Sequence, residues 1–246
     1  MDRRFQERMY GNYPYSRNMV LLDRKQGDVT NDGIIDYVYL FGSKNDETEF
    51  YTDQISLHIK DGRTNRISTV NFQYNAGYNA RLFLGDFSKD NVLDILVSID
   101  SGGSGGYGYF YIYSFKNNIP RQMFDVEKYN QDHLFNVHYE DSYKVRVESP
   151  QLDILFTIDI SNKGYDYLSQ FYDENGKLKQ PVQGGALALG VLNPIVTNNK
   201  ESSYDLLAFQ RIIGTTNSDT LGTIENLLTW NGAQFISSRL NVSIPI

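Results

Sequence analysis

The sequence has 246 residues, of which 40% are hydrophobic and 22% charged, so it can bury a sizeable core and is unlike a disordered chain. Its net charge of −7 argues against nonspecific nucleic-acid binding, which depends on clustered Lys and Arg. Because it contains no cysteine, disulfides, thiolate metal sites and a cysteine nucleophile are excluded.

The N-terminal stretch MDRRFQER is basic and lacks the apolar segment of a signal peptide. We expect residues 1–14 to form a flexible arm and residues 15–246 to form a single domain. No segment approaches the roughly 20 apolar residues that a membrane helix needs. The sequence does not identify the location of the protein; an extracellular, cell-surface or spore-surface location is the expectation if an export signal has been removed.

Short runs rich in Val, Ile, Tyr and Phe recur along the chain with turn residues between them, which is typical of strands. In chain order we expect strands at 18–24, 35–42, 52–60, 66–74, 80–86, 93–100, 108–115, 121–127, 134–140, 143–149, 152–160, 185–192, 204–212, 223–230 and 234–242. The segment 164–177 has apolar residues at helical spacing and is expected to form a short helical insertion.

Two segments repeat one pattern. GDVTNDGIIDYVYLFGSK begins at residue 27 and GDFSKDNVLDILVSIDSG begins at residue 85. Each has an acidic loop that closes on an aspartate, Asp36 or Asp94, and then an apolar strand. TNNKESSYD, which closes on Asp205, is an eroded third copy. Units of about four strands predict an all-β protein, a small β-propeller of about four blades of four antiparallel strands.

The acidic loops place oxygen donors at alternate positions, so that side chains can converge as the loop curls. Positions 1, 3, 5 and 9 are Asp28, Thr30, Asp32 and Asp36 in the first loop, Asp86, Ser88, Asp90 and Asp94 in the second, and Thr197, Asn199, Glu201 and Asp205 in the third. The main-chain carbonyls of Ile34 and Val92, at position 7, can join them. Calcium takes about 6–8 oxygen ligands in irregular geometry, so we expect Ca²⁺ here.

Position 6 favours a residue that tolerates a positive φ, and it is Gly33, Asn91 and Ser202 in the three loops. Carboxylate number falls in the third loop, so we rank the sites first, second, third. An EF-hand would need an acid at position 12, where this chain has Tyr39, Val97 and Ala208. The EF-hand interpretation therefore fails.

Loops with the closing acid at position 9 resemble the calcium loops of FG-GAP and VCBS repeats, the blade units of integrin-type β-propellers. The resemblance rests on DVTNDGIID and DFSKDNVLD, with TNNKESSYD as the eroded copy. The run FLGDFSKDNVLDILVSIDSGGSGG further resembles VCBS-repeat proteins of spore-forming low-GC Gram-positive bacteria. This resemblance implies structural Ca²⁺ in a non-catalytic module that binds a protein or carbohydrate partner.

Three alternatives remain open. The loops can be solvated acidic turns without an ion, since Asp, Asn and Gly commonly build turns. The protein can be a calcium-stabilised hydrolase of a polysaccharide or phosphoester, with a His of perturbed pKa or convergent acids outside the loops. It can also be a structural component of the spore or cell envelope.

Three other features of the sequence are better explained by ordinary structure than by function. Tyr107, Tyr109, Tyr111 and Tyr113 alternate along one predicted strand and share a face, which favours half-buried packing over a ligand platform. The run SGGSGG matches the G-x-S-x-G pattern, but a strand follows it where a nucleophile elbow needs a helix. His58, His133 and His138 lack the spacing of a zinc site.

Overall fold

A computed structural model describes residues 19–46, 48–199 and 202–245. It contains sixteen β-strands and two short α-helices among these residues, which confirms the expected all-β class. The expected N-terminal arm, residues 1–14, lies outside the described residues. Across the described ranges, none of the helices has the length and apolarity needed to cross a membrane.

The strands form four antiparallel sheets that follow one another along the chain. The first sheet contains β1 Met19–Gly27, β2 Asp36–Ser43, β3 Asp53–Lys60 and β4 Ile67–Asn71. The second contains β5 Tyr78–Gly85, β6 Asp94–Asp100, β7 Gly108–Ser114 and β8 Arg121–Asp125. Each is a meander in which neighbouring strands are consecutive in sequence.

The third sheet has three strands and the fourth has five. The third contains β9 Asn136–Glu140, β10 Lys144–Ser149 and β11 Ile154–Asp159. The fourth contains β12 Gly185–Ala186, β13 Val191–Ile195, β14 Asp205–Ile213, β15 Thr220–Trp230 and β16 Phe235–Ser243. β12 and β13 both pair with β14, so the single strand expected over 185–192 is two short strands. Leu189 lies between them, fully buried in the core.

The two helices are short and lie at the edges of the sheets. α1 spans Val126–Asp132 and α2 spans Tyr165–Phe171, the latter inside the segment expected to be helical. The strand expected over 121–127 ends earlier, because the Asp125 carboxylate accepts hydrogen bonds from the Glu127 and Lys128 backbone N–H groups and caps α1.

β6 is buried on both faces, which explains why it has the apolar run Ile95, Leu96 and Val97 and not a strict alternation. One face, with Ile95 and Val97, packs in a core shared by the first and second sheets. The opposite face, with Leu96, packs in a core shared by the second and fourth sheets and by α1. A third core joins the fourth sheet to the third sheet and α2. The sheets are therefore connected through shared cores in the order first, second, fourth, third.

Candidate metal centre

The aspartate that closes the first acidic loop is a buried hydrogen-bond acceptor. Asp36 begins β2 and is 0% exposed. Its Oδ2 accepts the backbone N–H groups of Val29 and Thr30, both at 3.0 Å, and its Oδ1 accepts the Gly62 N–H at 2.9 Å. Both oxygens therefore have partners, and the carboxylate joins the loop to the turn between β3 and β4.

The other two carboxylates of the first loop are also occupied. Asp28 accepts the N–H groups of Asp32 at 3.1 Å and Gly33 at 2.8 Å, one on each oxygen. Asp32 accepts the Ile34 N–H at 2.8 Å on Oδ1 and pairs through Oδ2 with Arg63 Nε at 2.7 Å. Arg63 also donates to the Asp32 carbonyl, so a guanidinium neutralises part of the loop's charge.

The second loop repeats this geometry almost atom for atom. Asp86 accepts the N–H groups of Asp90 at 3.1 Å and Asn91 at 2.9 Å. Asp90 accepts the Val92 N–H at 3.1 Å, and Lys116 Nζ lies 2.8 Å from its other oxygen. The φ angle of Asn91 is 63°, close to the 82° of Gly33 at the same loop position, as the sequence predicts.

The two loops differ at the closing aspartate. Asp94 is 0% exposed, and its Oδ2 accepts the Phe87 N–H at 3.0 Å and the Ser88 N–H at 2.9 Å. No described residue makes a well-directed hydrogen bond to Oδ1, and the Ser88 hydroxyl is likewise buried without one. Burial raises the pKa of Asp94 to about 6, and hydrogen bonds from Phe87, Ser88 and Ser114 offset only part of that rise.

The third loop holds a side-chain cation. Asp205 is 3% exposed; its Oδ2 accepts the Thr197 hydroxyl, and Lys89 Nζ of the second loop lies 2.9 Å from its Oδ1 as an ion pair. Asn199 is an exposed turn residue, and Glu201 lies outside the described residues. An ammonium group therefore sits beside the acid that was expected to bind an ion in this loop.

Backbone contacts connect the three loops to neighbouring sheets. Asn117, in the turn between β7 and β8, donates its N–H to the Thr30 carbonyl at 2.9 Å and so joins the first loop to the second sheet. Asp86 of the second loop forms an isolated parallel bridge with Ser203 and accepts the Tyr204 N–H at 2.9 Å. The first loop is therefore tied to the turn between β7 and β8, and the second loop is tied to the third.

The loops fit a hard cation to different degrees. In the chain as described, no three acidic or histidine side chains group around one point as metal ligands, because the loop carboxylates turn towards N–H groups and basic side chains. The buried oxygens that lack a well-directed hydrogen bond, and that a cation could satisfy, are Asp94 Oδ1 and Ser88 Oγ in the second loop and Thr30 Oγ1 in the first. The second loop therefore fits an ion best, although the sequence ranks the first loop highest.

The sequence analysis missed the three basic residues that neutralise the loops. Arg63 and Lys116 lie in equivalent turns, between the third and fourth strands of their sheets, and each contacts the acid at position 5 of its loop. Their spacing from that acid differs, 31 residues for Arg63 and 26 for Lys116, so the repeat gave no direct signal. Lys89 had no signal either, because its partner is remote in sequence.

Comparison with known proteins identifies the family. The family model described as the YybI C-terminal domain matches residues 133–243. A protein of Bacillus subtilis strain 168, the uncharacterised protein YybI, is 38% identical over 231 residues, which cover 94% of this chain and 87% of the relative. No solved structure matches.

These matches correct the resemblance drawn from the loops. The family found is YybI, and the expected FG-GAP or VCBS membership is wrong. A nine-residue loop pattern was insufficient to identify a family, because Asp, Asn and Gly at turn positions also serve as caps for backbone N–H groups, as they do here. The match over nearly the whole length shows that this chain belongs to the YybI family.

Proposed function

We propose that this protein is a non-catalytic interaction module in which Ca²⁺ binds the second acidic loop as a structural ion. The observation that carries the proposal is the buried, ionisable Asp94, whose Oδ1 has no well-directed partner among the described residues. A buried carboxylate oxygen without a partner costs folding free energy, and a bound cation removes that cost.

The ion would be held by Asp94 and Ser88, with the neighbouring carboxylates of Asp86 and Asp90 as further oxygen donors. Calcium suits this donor set because it accepts carboxylate, hydroxyl and carbonyl oxygens in irregular arrangements. Bound calcium would neutralise the loop and fix the entry to β6, the strand buried on both faces. The first loop is a second, weaker site, because both oxygens of its closing Asp36 already accept backbone N–H groups.

The third loop is proposed to need no metal, because Lys89 supplies the positive charge beside Asp205. The sequence expectation of two calcium sites with a third in question thus becomes one principal site, one weaker site and one site replaced by a lysine. A propeller arrangement of the four sheets remains a prediction, and it would require the first and third sheets to pack against each other to close a ring.

A hydrolase is the second candidate, favoured by one observation. His133 lies at a cleft of about 440 Å³ between α1 and β16, with Nε2 3.0 Å from Ser237 Oγ and Nδ1 2.9 Å from the Tyr129 carbonyl. Burial lowers the pKa of His133, which keeps the ring neutral. We favour the binding module because Asn226 Nδ2 also contacts Ser237 Oγ at 2.9 Å, so the hydroxyl belongs to a structural hydrogen-bond network.

A calcium titration followed by thermal unfolding tests the proposal. Protein stripped with a chelator is melted in increasing Ca²⁺, with Mg²⁺ as the control ion. The expected stabilisation grows as RT ln(1 + [L]/Kd), about 2.7 kcal/mol at a hundredfold excess over Kd. A melting temperature that does not respond to Ca²⁺ would refute the structural ion.

A serine-directed fluorophosphonate probe decides between the two candidates. The binding module predicts no covalent adduct at Ser237. An adduct that forms at Ser237 and disappears in His133→Asn would favour the hydrolase.

A further inference from the structure

The first two sheets carry a group of exposed and half-buried aromatic residues, none of which belongs to an acidic loop. We call it the aromatic face; its members are Phe50, Tyr51, Tyr74, Tyr78, Tyr107 and Tyr109. Phe50 is 84% exposed, Tyr51 43% and Tyr107 39%. Exposed apolar residues that cluster in this way mark interaction sites more often than isolated ones do.

Backbone pairing brings the members together. Thr52 and Gly77 exchange backbone hydrogen bonds of 2.8 Å, which places the Tyr51 and Tyr78 rings 5.3 Å apart, edge to face. The Tyr74 and Tyr109 rings stack at 4.8 Å. The Tyr107 ring lies edge to face against Tyr109, with the ring centroids 6.5 Å apart, so Tyr107 belongs to the same group of rings.

The ring of Tyr78 packs against the backbone of Gly102. Gly102 has a φ of 78°, and a Cβ added there would lie 2.2 Å from a ring carbon of Tyr78. Only glycine allows the loop to lie flat against this ring, so the run SGGSGG has a packing function. The ring, the loop, Phe50, Asn79 and Asp100 together line an open depression of about 490 Å³.

The polar groups of the depression are donors and acceptors side by side. Asp100 Oδ1 lies 3.2 Å from Arg81 Nη1, and Asp100 Oδ2 accepts Asn79 Nδ2 at 3.1 Å. The Arg81 and Asp100 side chains are 54% and 42% exposed, so they keep unused hydrogen-bonding capacity towards solvent. Because the carboxylate is paired with the guanidinium, the depression has little net charge.

We propose that the aromatic face binds a neutral saccharide chain, which would stack on Phe50 and hydrogen-bond to Asp100, Asn79 and Arg81. Sugar hydroxyls are donors and acceptors at once and so match this mixed set, while the apolar face of a pyranose ring matches an exposed aromatic ring. A proline-rich peptide, the other usual ligand of aromatic grooves, presents carbonyl acceptors that the Asp100 carboxylate would repel. This inference rests on the proposed role as an interaction module and names the class of its partner.

Isothermal titration with cellohexaose, maltohexaose, mannohexaose and xylohexaose tests the proposal, with decaproline as the competing ligand. We expect at least one oligosaccharide to bind, and Phe50→Ala and Asp100→Ala each to weaken it about tenfold or more. Tyr165→Ala is the matched control, because Tyr165 is 81% exposed and lies in α2, remote from the aromatic face. It should leave binding unchanged.

The proposal is overturned if no oligosaccharide binds at about 10 mM. It is also overturned if Phe50→Ala leaves oligosaccharide binding unchanged, or if decaproline binds and Phe50→Ala removes that binding. The melting temperature in Ca²⁺ is measured on the same samples. The melting temperature therefore tests calcium binding, and the titration separately tests saccharide binding.

Discussion

Lys89, in the second acidic loop, places its ammonium group 2.9 Å from Asp205, the aspartate that closes the third loop. Asp205 is 3% exposed, so its charge is buried and needs a positive partner. The contact explains how the third loop persists without the opening aspartate and glycine of the first, and it couples the second sheet to the fourth.

Replacing this lysine should destabilise the fold. We expect Lys89→Met to lower the free energy of unfolding by about 2 kcal/mol, since it leaves Asp205 buried without a counter-charge while the lysine end of the pair is partly solvated. Lys128→Met is the control, because its pair with Asp132 is exposed, at 65% and 52%. Urea unfolding measures both variants, and equal stabilities would contradict the role given to Lys89.

The stability of the metal-free protein should fall as the pH rises through the range of Asp94. Its pKa is about 6 in the folded protein and 3.8 ordinarily, so the folded state binds the proton more tightly. Protonated Asp94 therefore adds about 2–3 kcal/mol to the free energy of unfolding. This contribution is fully present below about pH 4 and is lost by about pH 6.

The difference between wild type and Asp94→Asn, measured by urea unfolding in chelator from pH 4 to 7, isolates this effect from other carboxylates. In the presence of calcium, the stabilities of wild type and Asp94→Asn should vary with pH to the same extent, because Ca²⁺ favours the ionised carboxylate. A difference that does not vary with pH would exclude an unpartnered, buried Asp94.

Asp36→Asn should lower the free energy of unfolding far more than the same change at Asp94. Both Asp36 oxygens accept backbone N–H groups, and an asparagine amide would direct its own N–H₂ at either Gly62 or the pair Val29 and Thr30. We expect Asp36→Asn to lower the free energy of unfolding by about 2 kcal/mol or more, because it leaves buried N–H donors unpaired. Thermal unfolding of the two variants under the same conditions provides the comparison, and an unaffected Asp36→Asn would contradict it.

Removing Arg63 should strengthen the first loop's response to calcium. Its guanidinium pairs with Asp32 through an exposed contact, so Arg63→Gln should cost no more than about 1 kcal/mol without metal. The uncovered carboxylate should then bind Ca²⁺ more tightly, because no side-chain cation competes for it. A calcium titration by calorimetry would show a second site of raised affinity; an unchanged isotherm would mean that the first loop binds no ion.

The sequence predicted the strands well because alternation and turn residues are local signals. β2, β6 and β14 begin at Asp36, Asp94 and Asp205, the loop-closing residues, each within a residue of the expected start. The predictions failed where tertiary packing decides the local structure. Leu189 enters the core and splits the expected strand over 185–192 into β12 and β13.

The candidate site was predicted only in part. The oxygen donors and the turn at Gly33 follow from the pattern of the loop, but the direction of each carboxylate does not. Whether an aspartate faces an ion, an N–H group or a lysine depends on neighbours far apart in sequence, such as Lys89 and Asp205. The ranking of the loops therefore changed once the backbone N–H partners of both Asp36 oxygens were located, together with an Asp94 oxygen that lacks a well-directed hydrogen bond.

The melting temperature of Asp94→Asn with and without calcium is the most direct measurement of a structural ion in the second loop. An asparagine can keep its carbonyl towards the Phe87 and Ser88 N–H groups and place its amide where the unpartnered oxygen lies. The account predicts that the metal-free variant melts above the metal-free wild type at pH 7 and gains much less from Ca²⁺. A variant that melts lower without metal, or that gains as much from Ca²⁺ as the wild type, would contradict it.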